Sequence, residues 1–109
     1  MTEQQLQTIL SQTRQGLEQI YGPRLDKIIL YGSQARGDAE EDSDIDILIV
    51  LKEAFNYFEE SQRISYLIAD LCLENTVLIS CMFATTQEYQ EDGSGLFRNI
   101  RREGVVIES

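Results

Sequence analysis

The chain alternates between stretches whose apolar residues recur every three or four positions and short stretches of consecutive apolar residues. The first pattern is typical of amphipathic helices, and the second of strands buried on both faces. A helix is predicted over residues 2–21, where Thr2 and Gln5 form a capping box and Gly22-Pro23 ends the pattern. Its predicted core stripe is Leu6, Ile9, Leu10, Leu17 and Ile20, with Thr13 in the gap.

The same patterns continue along the rest of the chain. Strands are predicted over residues 25–31, 44–51, 76–83 and 105–107, and helices over residues 55–73 and 96–103, with a short polar helical segment within 85–92. The predicted stripe of the second long helix is Phe58, Ile64, Leu67, Ile68 and Leu71. This order of elements predicts an α+β fold, in which a small mixed β-sheet carries helices packed mainly on one face.

Length and charge indicate the number of domains and exclude some classes of binding partner. At 109 residues, the chain is expected to form a single domain over 1–109. Its net charge is −10 and it has no histidine, so it lacks the positive footprint of a nucleic-acid-binding protein, and no direct nucleic-acid binding is expected. No stretch approaches the ~20 apolar residues of a membrane span, and the N-terminus is polar, so we expect a cytoplasmic protein without membrane contact.

The candidate catalytic and binding residues lie where the first predicted strand ends and the second begins. Gly32-Ser33 follows the first strand directly, and Asp44 and Asp46 open the second. Strand side chains alternate between faces, so Asp44 and Asp46 should point the same way while Ile45 and Ile47 point into a core. Two carboxylates on one face repel each other unless a cation lies between them. The pair therefore suits a divalent metal with oxygen ligands, and Mg²⁺ fits best.

Two other interpretations of this stretch are weaker. In a calcium loop, Asp42, Asp44 and Asp46 would take the first three ligand positions and Glu53 the twelfth, but the sixth position must be glycine and is Ile47. An acidic surface loop before a core strand would explain the loop charges. It would not explain Gly32-Ser33, nor a carboxylate placed inside a strand, which is costly unless it is paired or metal-bound.

The third interpretation is nucleotidyl transfer, in which a Gly-Ser turn holds a nucleotide triphosphate and two carboxylates on the next strand hold Mg²⁺. Residues 32–37, Gly-Ser-Gln-Ala-Arg-Gly, and residues 43–47, Ser-Asp-Ile-Asp-Ile, resemble the signature of the DNA polymerase beta-like nucleotidyltransferase superfamily. The chain is most similar to its minimal nucleotidyltransferase (MNT) branch, whose usual ending residues 96–105 also resemble.

The resemblance implies roles for individual residues. Ser33 should contact the nucleotide phosphates, Gly32 should allow their close approach, and Asp44 and Asp46 should be the metal ligands and the catalytic residues. Arg36 should either reach a phosphate or pair with the acidic loop that follows it. Asp38 is expected to cap or orient that loop.

One feature departs from the family pattern. Full catalysts of the superfamily carry a third carboxylate on the following strand, but no Asp or Glu lies between Asn75 and Gln87. Ser80 stands in the expected register, and a neutral hydroxyl is a poor Mg²⁺ ligand and a poor base. Glu74 precedes the predicted strand and would have to reach in.

The resemblance also implies a partner. Minimal nucleotidyltransferases are commonly encoded beside a HEPN-domain toxin and act as its antitoxin, either by complex formation or by transferring AMP from ATP to a tyrosine of the toxin. Two functions therefore stay open: a nucleotidyltransferase using ATP or another NTP on a partner's hydroxyl, and an antitoxin that neutralises by binding alone. Arg98, Arg101 and Arg102, the one basic cluster of the sequence, form either a solvated face or a docking or phosphate-binding surface.

Overall fold

The computed structural model describes residues 1–40 and 43–108. It contains a four-stranded sheet and five α-helices within this part of the chain. The elements in chain order are α1 (Glu3–Tyr21), β1 (Leu25–Tyr31), α2 (Ser33–Arg36), β2 (Ile45–Leu51), α3 (Tyr57–Asn75), β3 (Ile79–Thr85), α4 (Thr86–Glu91), α5 (Gly95–Glu103) and β4 (Val105–Val106). The predicted α+β class is confirmed.

The sheet is mixed, with the strand order β3-β2-β1-β4. β1 pairs antiparallel with β2 and with β4, whereas β2 and β3 run parallel. The parallel pair requires a crossover connection, and α3 supplies it. β1 and β2 therefore form the centre of the sheet, as their runs of consecutive apolar residues predicted.

The two long helices, α1 and α3, pack on one face of the sheet and build the larger core there. The central strands contribute Ile28, Leu30, Ile45, Ile47, Ile49 and Leu51 to this core. The smaller core on the opposite face joins Ile29, Leu48, Val50 and Ala84 to Phe97 and Ile100 of α5. The packing is mainly on one face, as predicted, and α5 covers part of the other.

α1 follows its predicted pattern closely. Thr2 and Gln5 form the capping box, and Gly22 ends the helix with a positive φ of 54° that favours glycine. Thr13 is buried inside the apolar stripe, where its hydroxyl donates a hydrogen bond of 2.8 Å to the carbonyl of Ile9. The polar member of the stripe is therefore satisfied within its own helix.

The predicted start of α3, the predicted limits of β3 and one predicted core residue were wrong. α3 begins at Tyr57, two residues later than predicted, with Asn56 as its N-cap, and it continues to Asn75, after which Thr76 adopts a left-handed conformation (φ 54°). β3 accordingly begins at Ile79 and runs to Thr85. Phe58 is 67% exposed, because its spacing of six residues from Ile64 places it about 120° away around the helix.

None of the helices in the described residues is both long enough and apolar enough to cross a membrane.

Candidate active site

The three strands place Tyr31, Asp46 and Ser80 side by side. Asp46 pairs with Tyr31 of β1 and with Ser80 of β3 in the strand register. Residues in register point to the same face of a sheet, which here is the face covered farther along by α5. Ile45 and Ile47 point the other way and are fully buried. The predicted alternation is confirmed for Ile45, Asp46 and Ile47, and the row of three polar side chains forms the floor of the candidate site.

Gly32 lies directly against the carboxylate of Asp46. Its φ is +74°, in the region that side chains rarely adopt, and a Cβ built on it would lie 2.5 Å from Asp46 Oδ2. Glycine is therefore required here both by the backbone conformation and by the close approach of the carboxylate. The turn that follows β1 and the carboxylate of β2 are thus parts of one site, although 14 positions separate them in the sequence.

Asp44 and Asp46 interact electrostatically across this site. Burial raises the pKa of Asp46, and the charge of Asp44 raises it further, while the Arg36 guanidinium acts in the opposite direction. Asp44 itself is exposed and precedes β2 by one residue. Asp46, whose ionised form is disfavoured by the charge of Asp44, belongs with Asp44 to a donor set that a divalent cation would stabilise. The residues therefore fit the predicted Mg²⁺, which either carboxylate could ligate.

Arg36 pairs with the acidic loop and also lines a cavity, so it could still reach a phosphate; the sequence left pairing and phosphate contact as alternatives. Its guanidinium pairs with Asp38 of the acidic loop at 3.3 Å and with Glu103 of α5 at 3.7 Å. It also lines a cavity of about 220 Å³ together with Tyr31, Gly32 and Asn99. Because the side chain is half-exposed and both pairs are solvent-accessible, the pairing is weak and leaves the guanidinium within reach of a ligand in the cavity.

Hydrogen bonds hold the segments around the two carboxylates. Gln34 Nε2 of α2 donates to the carbonyl of Ser43 at 3.3 Å, and the Glu40 N–H donates to Ser43 Oγ at 2.8 Å. The Ile45 N–H donates to the carbonyl of Leu78 at 2.9 Å. Asp44 is therefore fixed between α2 on one side and the start of β3 on the other.

The third carboxylate is missing at the position where the register would place it. Ser80 is exposed and level with Asp46, as predicted, and Glu74 lies on α3 outside β3. Among residues 1–40 and 43–108, no three His, Cys, Asp or Glu side chains gather into a possible metal site. The described site thus offers two carboxylates and a neutral hydroxyl.

A larger cavity of about 540 Å³ opens beside Asp44. Leu73 and Leu78 line it together with Ser43, Met1 and Val77. The sequence analysis did not include Tyr31, Leu73 or Leu78 in the site. Tyr31 could have been found from its position next to Gly32 at the end of β1, whereas the two leucines depend on how α3 and β3 meet.

The structure tests the calcium-loop interpretation of the central stretch. Residues 45–51 form the buried strand β2, which excludes a calcium loop that continues past Asp46; Asp42, its first proposed ligand, lies outside the described residues. Two arginines of the basic cluster contact neighbouring groups of the protein. Arg101 donates to the carbonyl of Tyr89 at 2.8 Å and joins α5 to α4, while Arg102 pairs with Glu103 at 3.3 Å.

Comparison with protein families decides the class. Residues 10–91 match the model of the nucleotidyltransferase domain family, which spans the Gly-Ser turn, both aspartates and β3. The chain belongs to the nucleotidyltransferase family. The family predicted from the Gly-Ser and Asp-x-Asp spacing is confirmed, and the candidate site of this nucleotidyltransferase is the region where these motifs meet.

Two sequence relatives extend this result. The nucleotidyltransferase is 38% identical over 96 residues to a candidate protein adenylyltransferase of Methanocaldococcus jannaschii, a match covering 84% of this chain and 86% of the relative. It is 28% identical over 107 residues to the protein adenylyltransferase MntA of Thermococcus cleftensis, covering 98% of this chain and 97% of the relative. The second match extends over nearly the full length of both proteins.

Solved structures share the fold. A chain of a toxin–antitoxin crystallised with AMP-PNP is 17% identical, has a TM-score of 0.64, and is matched over 92% of this nucleotidyltransferase and 73% of that chain. A chain from the complex of the tri-AMPylated HEPN toxin of Shewanella oneidensis with its MNT antitoxin is 15% identical, with a TM-score of 0.55 over 94% and 72%. At these identities the likeness concerns the fold.

Proposed function

We propose that this nucleotidyltransferase transfers AMP from ATP to a hydroxyl of a partner protein, with Mg²⁺ as cofactor, and acts as the antitoxin of a HEPN-type toxin in the cytoplasm. The observation that carries the proposal is the contact of Gly32 with Asp46. It joins the turn suited to a phosphate chain to the carboxylate suited to a metal that bridges phosphates. The names of the sequence relatives support protein adenylylation, and the toxin–antitoxin complexes with the same fold support the partner class.

In this proposal, each residue of the site has a defined task. The Gly32 turn admits the triphosphate because nothing projects from its backbone, and Ser33 and Arg36 hold phosphate oxygens. Asp44 and Asp46 would hold Mg²⁺, which when bound would neutralise charge on the phosphates. Orientation and charge stabilisation contribute most of the catalysis in such transfers.

The reaction is a substitution at the α-phosphorus of ATP. The acceptor hydroxyl oxygen forms a new bond to that phosphorus, the bond to the bridging oxygen of the β-phosphate breaks, and pyrophosphate leaves. The hydroxyl proton must go to a base. Ser80 cannot accept it as a neutral hydroxyl, so we assign it to a carboxylate of the Asp44–Asp46 pair or to a group of the partner.

The direct test is label transfer from [α-³²P]ATP in the presence of Mg²⁺ to the purified product of the gene adjacent to this one. We expect labelling with the wild-type chain and none with Asp44→Asn/Asp46→Asn. Glu91→Gln, which removes an exposed carboxylate on α4, serves as the matched control and should label normally. Absence of label with the wild-type chain would contradict the enzymatic function.

A second candidate function is supported by Ser80 standing in place of the third carboxylate. In that case the chain neutralises the toxin by binding, with weak or no catalysis. The double variant distinguishes the two functions in cells that express the toxin. Growth rescued equally by the wild-type chain and by Asp44→Asn/Asp46→Asn favours binding alone, whereas rescue by the wild-type chain only favours transfer.

A further inference from the structure

Large apolar side chains project from one side of α3 into solvent. Phe58, Tyr66 and Leu73 are 67%, 85% and 80% exposed, and Leu78, just after the helix, is 66% exposed. At 100° per residue, the three helical positions lie within about 80° of one another. Single exposed apolar residues are ordinary, but a contiguous set of large ones marks an interaction surface. We call Phe58, Tyr66, Leu73 and Leu78 the α3 ridge.

Two cavities open along α3, and residues of the ridge line the larger of them. One, of about 360 Å³, lies between α3 and β3 and is lined by apolar side chains that include Ile64, Ile68 and Phe83. The other is the cavity of about 540 Å³ in which Leu73 and Leu78 of the ridge line the same space as Asp44. The Leu73 end of the ridge therefore shares a cavity with Asp44, and a segment lying along the ridge ends beside this proposed metal ligand.

The charges around the ridge indicate what kind of partner could bind it. The exposed carboxylates of α3 are Glu59, Asp70 and Glu74, and Asp44 adds another at the end of the ridge. Arg63, the one basic residue of α3, is bound to the buried Glu60 at 3.0 Å. The chain carries a net charge of −10, so nucleic acid and a second copy of this chain are both repelled from this surface. A protein with an apolar segment flanked by basic residues complements it.

We propose that the α3 ridge is the docking surface for the acceptor protein, a basic polypeptide whose apolar side chains enter the two cavities and whose hydroxyl is thereby held beside Asp44. The role of the docked protein as acceptor rests on the proposed function, whereas docking itself can be tested without any reaction.

The test compares ridge variants with a variant of another exposed apolar residue. Tyr66→Glu/Leu73→Glu places two carboxylates on the ridge, and Val105→Glu changes a 51% exposed side chain of β4 at the opposite edge of the sheet. The probe is the purified product of the adjacent gene, and calorimetry measures its affinity. We expect the ridge variant to bind at least ~100-fold more weakly, the range of interface hot spots, and the Val105→Glu variant to bind like the wild type.

Two controls separate docking from folding and chemistry. The ridge side chains are exposed, so the thermal unfolding of the ridge variant should equal that of the wild type. Asp44→Asn/Asp46→Asn should still bind the probe. If the probe binds the wild type and this variant but no label is ever transferred, the proposed function fails while the docking surface stands.

Other outcomes would overturn the inference. Unchanged affinity of the ridge variant, or no binding of the probe to the wild type, would contradict docking at the ridge. A wild-type dimer in light scattering that Tyr66→Glu/Leu73→Glu converts to monomer would show that a second copy covers the ridge. An affinity that does not fall between 0.05 and 0.5 M salt, about the range over which surface charges become screened, would contradict a basic partner.

Discussion

α1 and α3 are both 19 residues long, pack side by side on the same face of the sheet, and differ in what they show to solvent. α1 turns its apolar stripe inward and presents a glutamine-rich outer face. α3 buries Ile64 and Leu71 but leaves Phe58, Tyr66 and Leu73 exposed. α1 has the composition of a helix that only supports a core, whereas α3 carries apolar surface that the fold does not use. That surface leads to Asp44.

The difference shows that stability and partner binding depend on different sides of the two helices. The inner side of the α1–α3 pair supports β1 and β2 and so positions Gly32, Asp44 and Asp46. The outer side of α3 can change without disturbing them. Substitutions in the buried stripe of α1 should therefore affect folding, whereas substitutions on the exposed side of α3 should affect partner binding.

The largest contrast should come from the same substitution on each helix. Leu17 of α1 is fully buried, and Leu17→Ala should destabilise the protein by about 3 kcal/mol because it leaves a cavity in the core. Leu73 of α3 is 80% exposed, and Leu73→Ala should stay within about 0.5 kcal/mol. Urea unfolding measures both values, and similar losses at the two positions would remove the distinction between the helices.

A change at Gly32 should damage the chemistry and spare docking, the reverse of a change on the α3 ridge. Gly32→Ala forces a side chain into a backbone with φ +74° and against Asp46 Oδ2. Displacing that carboxylate should lower AMP transfer by on the order of a hundredfold. Gly93→Ala is the matched control, because no atom lies within 4 Å of its added Cβ. Normal transfer by Gly32→Ala would contradict the assigned role of the turn.

A smaller effect on stability is expected from a substitution on the inner side of α3. Glu60 is buried there, and although burial alone would raise its pKa, the hydrogen bond from Arg63 and the nearby positive charges hold that pKa below its usual value. A lowered folded-state pKa adds stability that is present above the ordinary pKa of about 4.5 and is lost as the pH falls through the folded value. Glu60→Gln should therefore cost about 2 kcal/mol at pH 7.

The same variant should flatten the acid limb of the stability curve. Unfolding followed between pH 7 and pH 3 measures it, and an acid limb as steep in Glu60→Gln as in the wild type would assign the acid sensitivity to other carboxylates. Glu59→Gln, at an exposed position of the same helix turn, is the control and should leave the curve unchanged.

The smallest expected effect concerns Ser80. Ser80→Asp adds a carboxylate in register with Asp46, and we expect it to tighten Mg²⁺ binding severalfold because affinity rises with the charge of the ligand set. Calorimetry with Mg²⁺ in the presence of AMP-PNP measures the change, and Ser80→Ala should leave it unaltered. A loss of Mg²⁺ affinity in Ser80→Ala as large as that in Asp46→Asn would identify the hydroxyl as a ligand.

Local signals explain which predictions from the sequence were confirmed. Thr2, Gln5 and Gly22 fixed the limits of α1 through capping, and the alternation around Asp46 placed Ile45 and Ile47 in the core. The register of Ser80 with Asp46 was also predicted correctly, from the position at which the resemblance to the superfamily places a third carboxylate.

What the sequence could not supply depends on contacts between distant segments. The left-handed Thr76 that delays β3 is not marked by any residue preference, since glycine or asparagine usually occupies such positions. Phe58 is different, because its spacing from Ile64 already places it off the apolar stripe and this error could have been avoided from the sequence. The contact of Gly32 with Asp46 and the cavity shared by Asp44, Leu73 and Leu78 arise only when the elements assemble.

The central claim is that the site formed by Gly32, Asp44 and Asp46 attaches a nucleotide to a protein. Intact-mass spectrometry of the adjacent gene product, after incubation with this chain, ATP and Mg²⁺, tests it most directly. The account predicts a partner carrying covalently bound AMP with the wild-type chain, and an unmodified partner with Asp44→Asn/Asp46→Asn or with Mg²⁺ chelated. An unmodified partner with the wild-type chain, or an AMP adduct with the double variant, would contradict it.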